Sequence, residues 1–222
     1  MLIIGHRGAR GLAEENTLDS IKAALAAGVD GTEIDIRVTS DGVIVLSHDP
    51  FIKDDTAAQW TISQHTYEFL HNRHRSLTTL EQALSVIPST CQLRIEIKPG
   101  EPVAPLGALL RPVIAQRQLY VVSFDYASLR ELHATFPDLP LILNEKWSSI
   151  RARYRAGKLG TKRVQMNQRW LWHGFLKAVK HGGYLITPYT VNSPRQARRW
   201  TPYVEAIITD YPDRFPRERT NT

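Results

Sequence analysis

The chain has 222 residues, 42% hydrophobic and 23% charged, a globular composition that excludes a disordered or collagen-like polypeptide. No apolar run reaches the ~20 residues of a membrane span, and the start, Met1-Leu2-Ile3-Ile4-Gly5, lacks the basic opening and the length of a signal peptide. The formal charge of +6 favours anionic ligands, and a single cysteine, Cys91, excludes an intramolecular disulfide and a multi-cysteine metal site.

These bounds set the expectation of one domain over residues 1–222, with cytoplasmic residence and no stable membrane insertion. Two basic clusters, Arg151 to Arg163 and Arg195 to Arg199, read as solvated faces. Neither carries a nucleic-acid-binding signature, so no nucleic-acid partner is expected. An anionic membrane surface or a phospholipid substrate stays open.

Apolar strand-like runs alternate with helical patterns along the chain. Residues 2–5 read as a short buried strand. Residues 16–27 read as a helix, with Asn16 or Thr17 as its cap and Gly28 as its stop. Residues 30–38 form the second strand; Asp41-Gly42 marks a turn, and the run 43–46 fits a hairpin extension. Residues 50–77 are the least regular region, polar and weakly periodic, and read as an inserted segment that could lie over a site. Its His65, His71 and His74 match no metal-ligand spacing, which favours a solvated excursion. Thr78 with Glu81 three residues on predicts a capped helix over 78–86. A strand over 92–97, with Cys91 at its start, precedes a helix over 103–116 with Pro105 in its first turn. A strand over 119–123 leads to a helix over 126–135 capped by Asp125. Strands at 139–143, 163–166, 184–187 and 206–209 then alternate with helices at 147–155, 170–181 and 194–200. The tail 214–222 is polar and expected to fray.

Repeated βα units demand parallel pairing and right-handed crossovers, and about eight of them close into a (β/α)8 barrel. A doubly wound open sheet is the alternative, disfavoured because no glycine-rich dinucleotide fingerprint follows the first strand.

In such a barrel function gathers at the C-terminal ends of the strands. Glu33 and Asp35 lie two apart on the second strand and so point to the same side. Paired carboxylates repel and are costly to desolvate, and a divalent cation removes both problems. Oxygen-only ligands suit Mg²⁺, Ca²⁺ or Mn²⁺ rather than zinc. The plainer alternative is an exposed strand with two ordinary acids. Neighbouring strand ends add His6-Arg7-Gly8, Ser47-His48-Asp49 and Glu96-Ile97-Lys98. Together they suggest a division of labour. Glu33, Asp35 and Glu96 would hold one hard cation, His6 and His48 would exchange protons, and Arg7 and Lys98 would hold an anion. That set suits in-line displacement at a phosphate ester. The nucleophile is left open between water and a neighbouring hydroxyl of the substrate, as is which imidazole is acid and which base.

These pieces, followed by Glu15-Asn16-Thr17, Ser123-Phe124-Asp125, Thr190-Val191-Asn192 and Ile208-Thr209-Asp210-Tyr211-Pro212-Asp213, occur over nearly the whole chain in an order that resembles the glycerophosphodiester phosphodiesterase family. The resemblance implies a TIM barrel that hydrolyses glycerophosphodiesters to sn-glycerol 3-phosphate and an alcohol, with Mg²⁺ or Ca²⁺. It carries the metal ligands to Glu33, Asp35 and Glu96, the catalytic histidines to His6 and His48, and phosphate contacts to Arg7 and Lys98. Tyr189 stands where the family usually has Trp, retaining an aromatic wall for the substrate. Glu14 replaces a proline, which loosens one turn, and the family's Arg-Thr-Thr after His-Asp is absent, which leaves the alcohol preference open. Glu15 reads as a loop residue orienting Arg7 rather than a fourth acid at the metal, and Asn16 is expected beside it as a supporting residue of the site. Two other readings are a lysophospholipase D-like activity, suggested by the basic surface with Trp60, Trp170, Trp172 and Tyr189, and a silent barrel that only binds phosphorylated ligands.

Overall fold

Helical segments separate the long apolar runs, so those runs meet in parallel rather than as hairpins. The computed structural model describes residues 1–215. Its strands are β1 (Leu2–Gly5), β2 (Gly31–Val38), β3 (Ile44–Leu46), β4 (Phe51–Lys53), β5 (Gln59–Thr61), β6 (Gln92–Ile97), β7 (Leu119–Ser123), β8 (Leu141–Glu145), β9 (Arg163–Asn167), β10 (Leu185–Tyr189) and β11 (Ala206–Thr209). Its helices are α1 (Leu18–Ala26), α2 (Tyr67–His71), α3 (Leu80–Val86), α4 (Val103–Leu110), α5 (Tyr126–Thr135), α6 (Ser149–Lys158), α7 (His173–His181) and α8 (Pro194–Trp200). Eight parallel strands pair in the order β10-β9-β8-β7-β6-β2-β1-β11, and β3 adds antiparallel to β2. Between β10 and β11 two backbone bonds, Glu205 N–H to Ile186 O at 3.1 Å and Val191 N–H to Ile208 O at 2.8 Å, nearly close the barrel.

Strand alternation decides where the core sits. Ile34, Ile36, Leu93, Ile95 and Ile97 face the helices and pack with Ile21, Leu80, Leu106, Leu129 and Leu176 in one continuous cluster. The alternate positions Glu33, Asp35, Gln92, Arg94 and Glu96 are equally buried yet polar, and belong to the inside of the barrel. The apolar core is therefore a ring between sheet and helices, and it leaves the barrel's interior available for polar chemistry.

Thr17 caps α1, its hydroxyl accepting from Ser20 N–H, and Gly28 ends the turn at φ +78°. Several elements differ from the sequence-based expectation. The helix expected over 147–155 runs Ser149–Lys158, that expected over 170–181 starts at His173, and four others differ as well. The cap of α3 is Thr79 with Gln82, one residue beyond Thr78 and Glu81. The Thr78 carbonyl already accepts from Leu46 N–H, which ties Thr78 to the end of β3 and leaves Thr79 to start the helix. The helix expected over 103–116 stops at Leu110 and resumes only as a 3₁₀ turn at Ile114–Gln116. The strand expected at 139–143 lies two residues later, because Pro140 has no N–H to give to a ladder. Residues 50–77 are more regular than they read, holding the β4–β5 hairpin and α2 around Val45, Ile52, Ile62, Leu70 and Leu77. Elements this short carry too few residues for a period to show.

The three histidines there are structural. His65 stacks on Phe69, His71 stacks on Tyr67, and His74 meets Glu14 and Ser76. Glu14 thus ties the first loop to this segment. Trp60 belongs to the same small cluster and bonds Asp54. The tail expected to fray lies, from residue 216 on, outside the described residues. Replacing Thr79 by Ala is expected to lower stability by about 1 kcal/mol in urea denaturation; no measurable loss would place the α3 cap elsewhere.

Candidate active site

The turn after β1 organises the mouth of the barrel. Arg7 (φ 50°) and Gly8 (φ 80°) both take left-handed backbone, and a Cβ on Gly8 would come within 2.4 Å of Ser20 Oγ. This tight reversal lets Arg7 N–H donate to Glu33 Oε2 at 3.1 Å and Gly8 N–H donate to the Glu33 carbonyl at 3.1 Å. Asn16, also left-handed (φ 59°), donates through its backbone to the Arg7 carbonyl at 3.0 Å. Its side chain grips Asp35 twice, Nδ2 donating to Oδ2 and Oδ1 accepting from Asp35 N–H, each at 3.0 Å. Asn16 thus supports both the carboxylate and the turn.

The register of β2 against β6 sets Asp35 beside Glu96 and Glu33 beside Arg94. Glu33, Asp35 and Glu96 are all buried, and each offers an oxygen within 4.8 Å of the others; among the described residues they form the one cluster able to hold a metal ion. Lys98 lies between Asp35 and Glu96, its Nζ 2.5 Å from Glu96 Oε1. Arg7 approaches Asp35 with Nε at 3.0 Å and binds Glu15 Oε1 through Nη1 at 2.6 Å. Glu15 therefore pairs with Arg7 and stays outside the acid cluster. Burial, with Asp35 and Glu96 close by, pushes the Glu33 carboxyl well above the usual range. Burial and Asp35 also raise Glu96. Burial opposes ionisation of Asp35 too, but Lys98, Arg7 and the bonds from Lys98 and Asn16 outweigh it and hold its carboxyl low.

Below Glu96 a chain of hydrogen bonds descends through the barrel. Asn144 Nδ2 donates to Glu96 Oε2 at 2.8 Å, Gln165 Nε2 donates to Asn144 Oδ1 at 2.9 Å, and Arg94 Nη1 donates to Gln165 Oε1 at 2.9 Å. A guanidinium can only donate. Arg94 therefore fixes which way both amides point, and the chain must deliver a donor to Glu96 Oε2. Burial pulls Arg94 down to about 10, still charged at neutral pH.

Both expected histidines line the same cavity of about 300 Å³ as the acids, Arg7, Lys98 and Tyr189. His6 Nδ1 lies 2.6 Å from Asp210 Oδ1, and Asn192 Nδ2 donates to Asp210 Oδ2 at 2.8 Å. His48 is more open, its Nδ1 2.9 Å from Asp49 Oδ1, and its carbonyl accepts from Arg37 Nη2 at 3.0 Å. Arg37 is steadied in turn by Glu101 at 2.9 Å. Burial, Lys98 and Arg7 lower the His48 imidazole, against the opposing bond from Asp49. The Tyr189 hydroxyl is buried without a hydrogen-bond partner among the described residues, and burial with Glu96 and Glu145 nearby keeps it protonated.

The structure brings every sequence-predicted site residue to this end of the barrel. It adds Asp210, Asn192, Asn144 and Gln165, to which residue types alone assign no role. One signal was available for the interior: Gln92, Arg94 and Glu96 alternate with Leu93, Ile95 and Ile97. Polar residues at every second position of a fully buried strand mark a polar barrel interior. A second cavity of about 480 Å³ adjoins the first, shares His48, Glu96 and Lys98, and adds Trp147, Arg151 and Arg155.

Residues 6–214 match the family model described as the glycerophosphoryl diester phosphodiesterase family. The chain is 27% identical over 239 residues to a glycerophosphodiester phosphodiesterase of Bacillus altitudinis, covering 98% of this chain and 97% of that one. In fold it resembles an Oleispira antarctica phosphodiesterase solved in complex with the product sn-glycerol-3-phosphate, with TM-score 0.85, 24% identity, and 96% and 94% of the two chains covered. It likewise resembles a glycerophosphodiester phosphodiesterase of Thermotoga maritima, with TM-score 0.84, 24% identity, and 97% and 96% covered.

Replacing Asn144 by Leu would strip Glu96 Oε2 of its donor and leave Gln165 Nε2 unpaired. A loss of about 10–100-fold in Mg²⁺ or Ca²⁺ affinity is expected by titration calorimetry, the range typical of groups that orient a ligand. Unchanged affinity would confine the chain below Glu96 to stability.

Proposed function

The chain belongs to the glycerophosphoryl diester phosphodiesterase family, and from that premise we propose that it hydrolyses glycerophosphodiesters to sn-glycerol 3-phosphate and an alcohol, with a divalent cation and two histidines as proton carriers. One observation carries the reading: a single cavity holds three buried acids, two imidazoles and the Arg7 and Lys98 cations. The Oleispira antarctica relative, bound to sn-glycerol-3-phosphate, supports the glycerol phosphate half of the substrate.

The acid trio suits a hard cation. Its donors are all oxygen, and although Arg7, Lys98 and, deeper in the barrel, Arg94 bring positive charge near the three buried carboxylates, Glu33 is still driven upward. Glu33, Asp35 and Glu96 would hold Mg²⁺ or Ca²⁺. When bound, that ion supplies positive charge to the non-bridging oxygens of the ester.

The chain's own residues do the rest. Arg7 is fixed by Glu15 and its own backbone, so its guanidinium is pre-oriented for phosphate oxygens. Lys98 adds a compact charge at the same place. With Asp210 accepting from His6 Nδ1–H, the other ring nitrogen, Nε2, is free to take or give a proton, and Asn192 keeps Asp210 from turning away. His48, its protonated form disfavoured, stands in the same cavity as the second carrier. One imidazole takes the proton of the nucleophile and the other protonates the departing alcohol oxygen. Phe124 and Tyr189 wall the cavity, their rings edge to face at 6.1 Å.

Incubation with glycerophosphocholine or glycerophosphoglycerol and Mg²⁺ or Ca²⁺ is expected to release glycerol 3-phosphate, read with its dehydrogenase. Chelation should stop release, and Glu33→Gln should lose rate and metal dependence together. Absence of product across that panel would refute the reading. His6→Ala and His48→Ala are each expected to cost about 10²–10⁴-fold in kcat. With His48 assigned as the base, because burial, Lys98 and Arg7 disfavour its protonated form, the acidic limb of kcat/KM should have its midpoint below the ordinary imidazole value of 6.5. Activity is then kept at neutral pH and lost as pH falls, and His48→Ala should abolish that limb.

A further inference from the structure

Between Lys146 and Val204 the sequence has 13 Lys and Arg residues and no Asp or Glu. The whole chain carries +6, so all the remaining residues together carry −7. That stretch is contiguous in space: it runs from the end of β8 through α6, β9, α7, β10 and α8 to just before β11, one side of the barrel.

Large exposed apolar residues gather on the same side. Trp147 is 61% exposed, Ile150 82%, Tyr154 66%, Trp170 45% and Trp172 64%. Trp147 follows β8 and Trp170 follows β9, so both stand at the C-terminal rim, their ring centroids 5.8 Å apart. Trp172 caps α7 at that rim, and Ile150 opens α6. Tyr154 lies one turn beyond Ile150, on the same stripe of α6. Cations flank the stripe. Arg151 and Arg155 border the larger cavity beside Trp147, and the Lys158 ammonium sits 5.9 Å from the Tyr154 ring. Arg151 pairs with buried Glu145 and Arg163 with Glu205, both acids lying just outside the stretch, and the stretch itself contains no acid for its other cations.

Such a surface is doubly unfavourable in water alone. Exposed apolar and aromatic side chains stay hydrated there, and like charges repel around them. A partner both anionic and apolar relieves both costs. Tryptophan and tyrosine suit the headgroup level of a bilayer, with Lys and Arg reaching the anionic phosphates around them. Nucleic acid would use the aromatics as stacking platforms, but Ile150, the most exposed of these residues, has no π face to offer. We propose that this rim docks the protein peripherally on anionic lipid bilayers, with Trp147, Ile150, Tyr154, Trp170 and Trp172 at the headgroup boundary. The inference stands apart from the reaction proposed above and is tested without it.

The full chain is sedimented with vesicles of phosphatidylcholine alone and with vesicles in which about a third of the lipid is phosphatidylglycerol. Binding at least tenfold stronger to the anionic vesicles is expected, weakening as NaCl is added. Three of the five tryptophans, Trp147, Trp170 and Trp172, lie at the rim. Emission should therefore shift to the blue on binding and be quenched by brominated lipid. Ile150→Glu and Lys158→Glu should each weaken binding several-fold, whereas Lys22→Glu, an equal charge change on α1, should not. No binding to anionic vesicles, equal loss in all three variants, or binding to single-stranded nucleic acid in place of vesicles would each overturn the proposal.

Discussion

Three carboxylates held out of water in one small volume are the constraint around which this barrel is arranged. Glu33, Asp35 and Glu96 lie within 4.8 Å of one another. At that spacing two such charges repel by about 3 kcal/mol even at an effective dielectric near 20. The cluster persists because neighbouring groups answer each charge. Lys98 and Arg7 bring positive charge, and Asn16, Asn144 and the Arg7 backbone bring donors. The balance is incomplete at Glu33, whose carboxyl is driven upward. Such a trio of buried acids could hold a metal ion.

The ring-shaped core makes that arrangement tolerable. The apolar faces of the strands turn outward to the helices, so stability comes from Ile34, Ile36, Leu93, Ile95, Ile97 and the helix residues they meet. The inside of the barrel is then free to be polar, provided its groups are satisfied. Arg94 is the anchor there. It donates to Gln92, Gln165 and Thr187 and lies 3.4 Å from Glu205, joining strands on opposite sides of the barrel. Because it can only donate, the same residue that fills the barrel also determines what Glu96 receives several bonds above.

The two histidines share one cavity but are held differently. His6 is enclosed and backed by Asp210, which Asn192 holds across the barrel seam. His48 sits on the open extension beside Asp49 and takes its place from Arg37 and Glu101. One ring is thereby fixed by the barrel and the other by the loop after β3, so the distance between them depends on how that loop packs. The basic, aromatic rim lies beyond His48 along the larger cavity, which joins the surface chemistry of α6 to the mouth of the site.

Much of this was legible in the chain. Alternating runs and helical patterns specified parallel βα units, and parallel units of that number admit few closures. Glu33 and Asp35 had to share a face, since strand periodicity is local. Boundaries were less secure where a local signal competed with a distant bond: Thr78 lost the α3 cap because Leu46 N–H claims its carbonyl, and Pro140 delayed β8. What sequence could not supply were relations between residues far apart in the chain. Asp210 reaches His6 across 204 positions, and Asn144 reaches Glu96 across 48. Those pairings depend on barrel closure and on the register of strands that meet only after folding. Residue types and their local periods thus determined which groups face inward, while the tertiary structure alone decided which of them touch, because contact is set by closure and register rather than by neighbourhood in the chain.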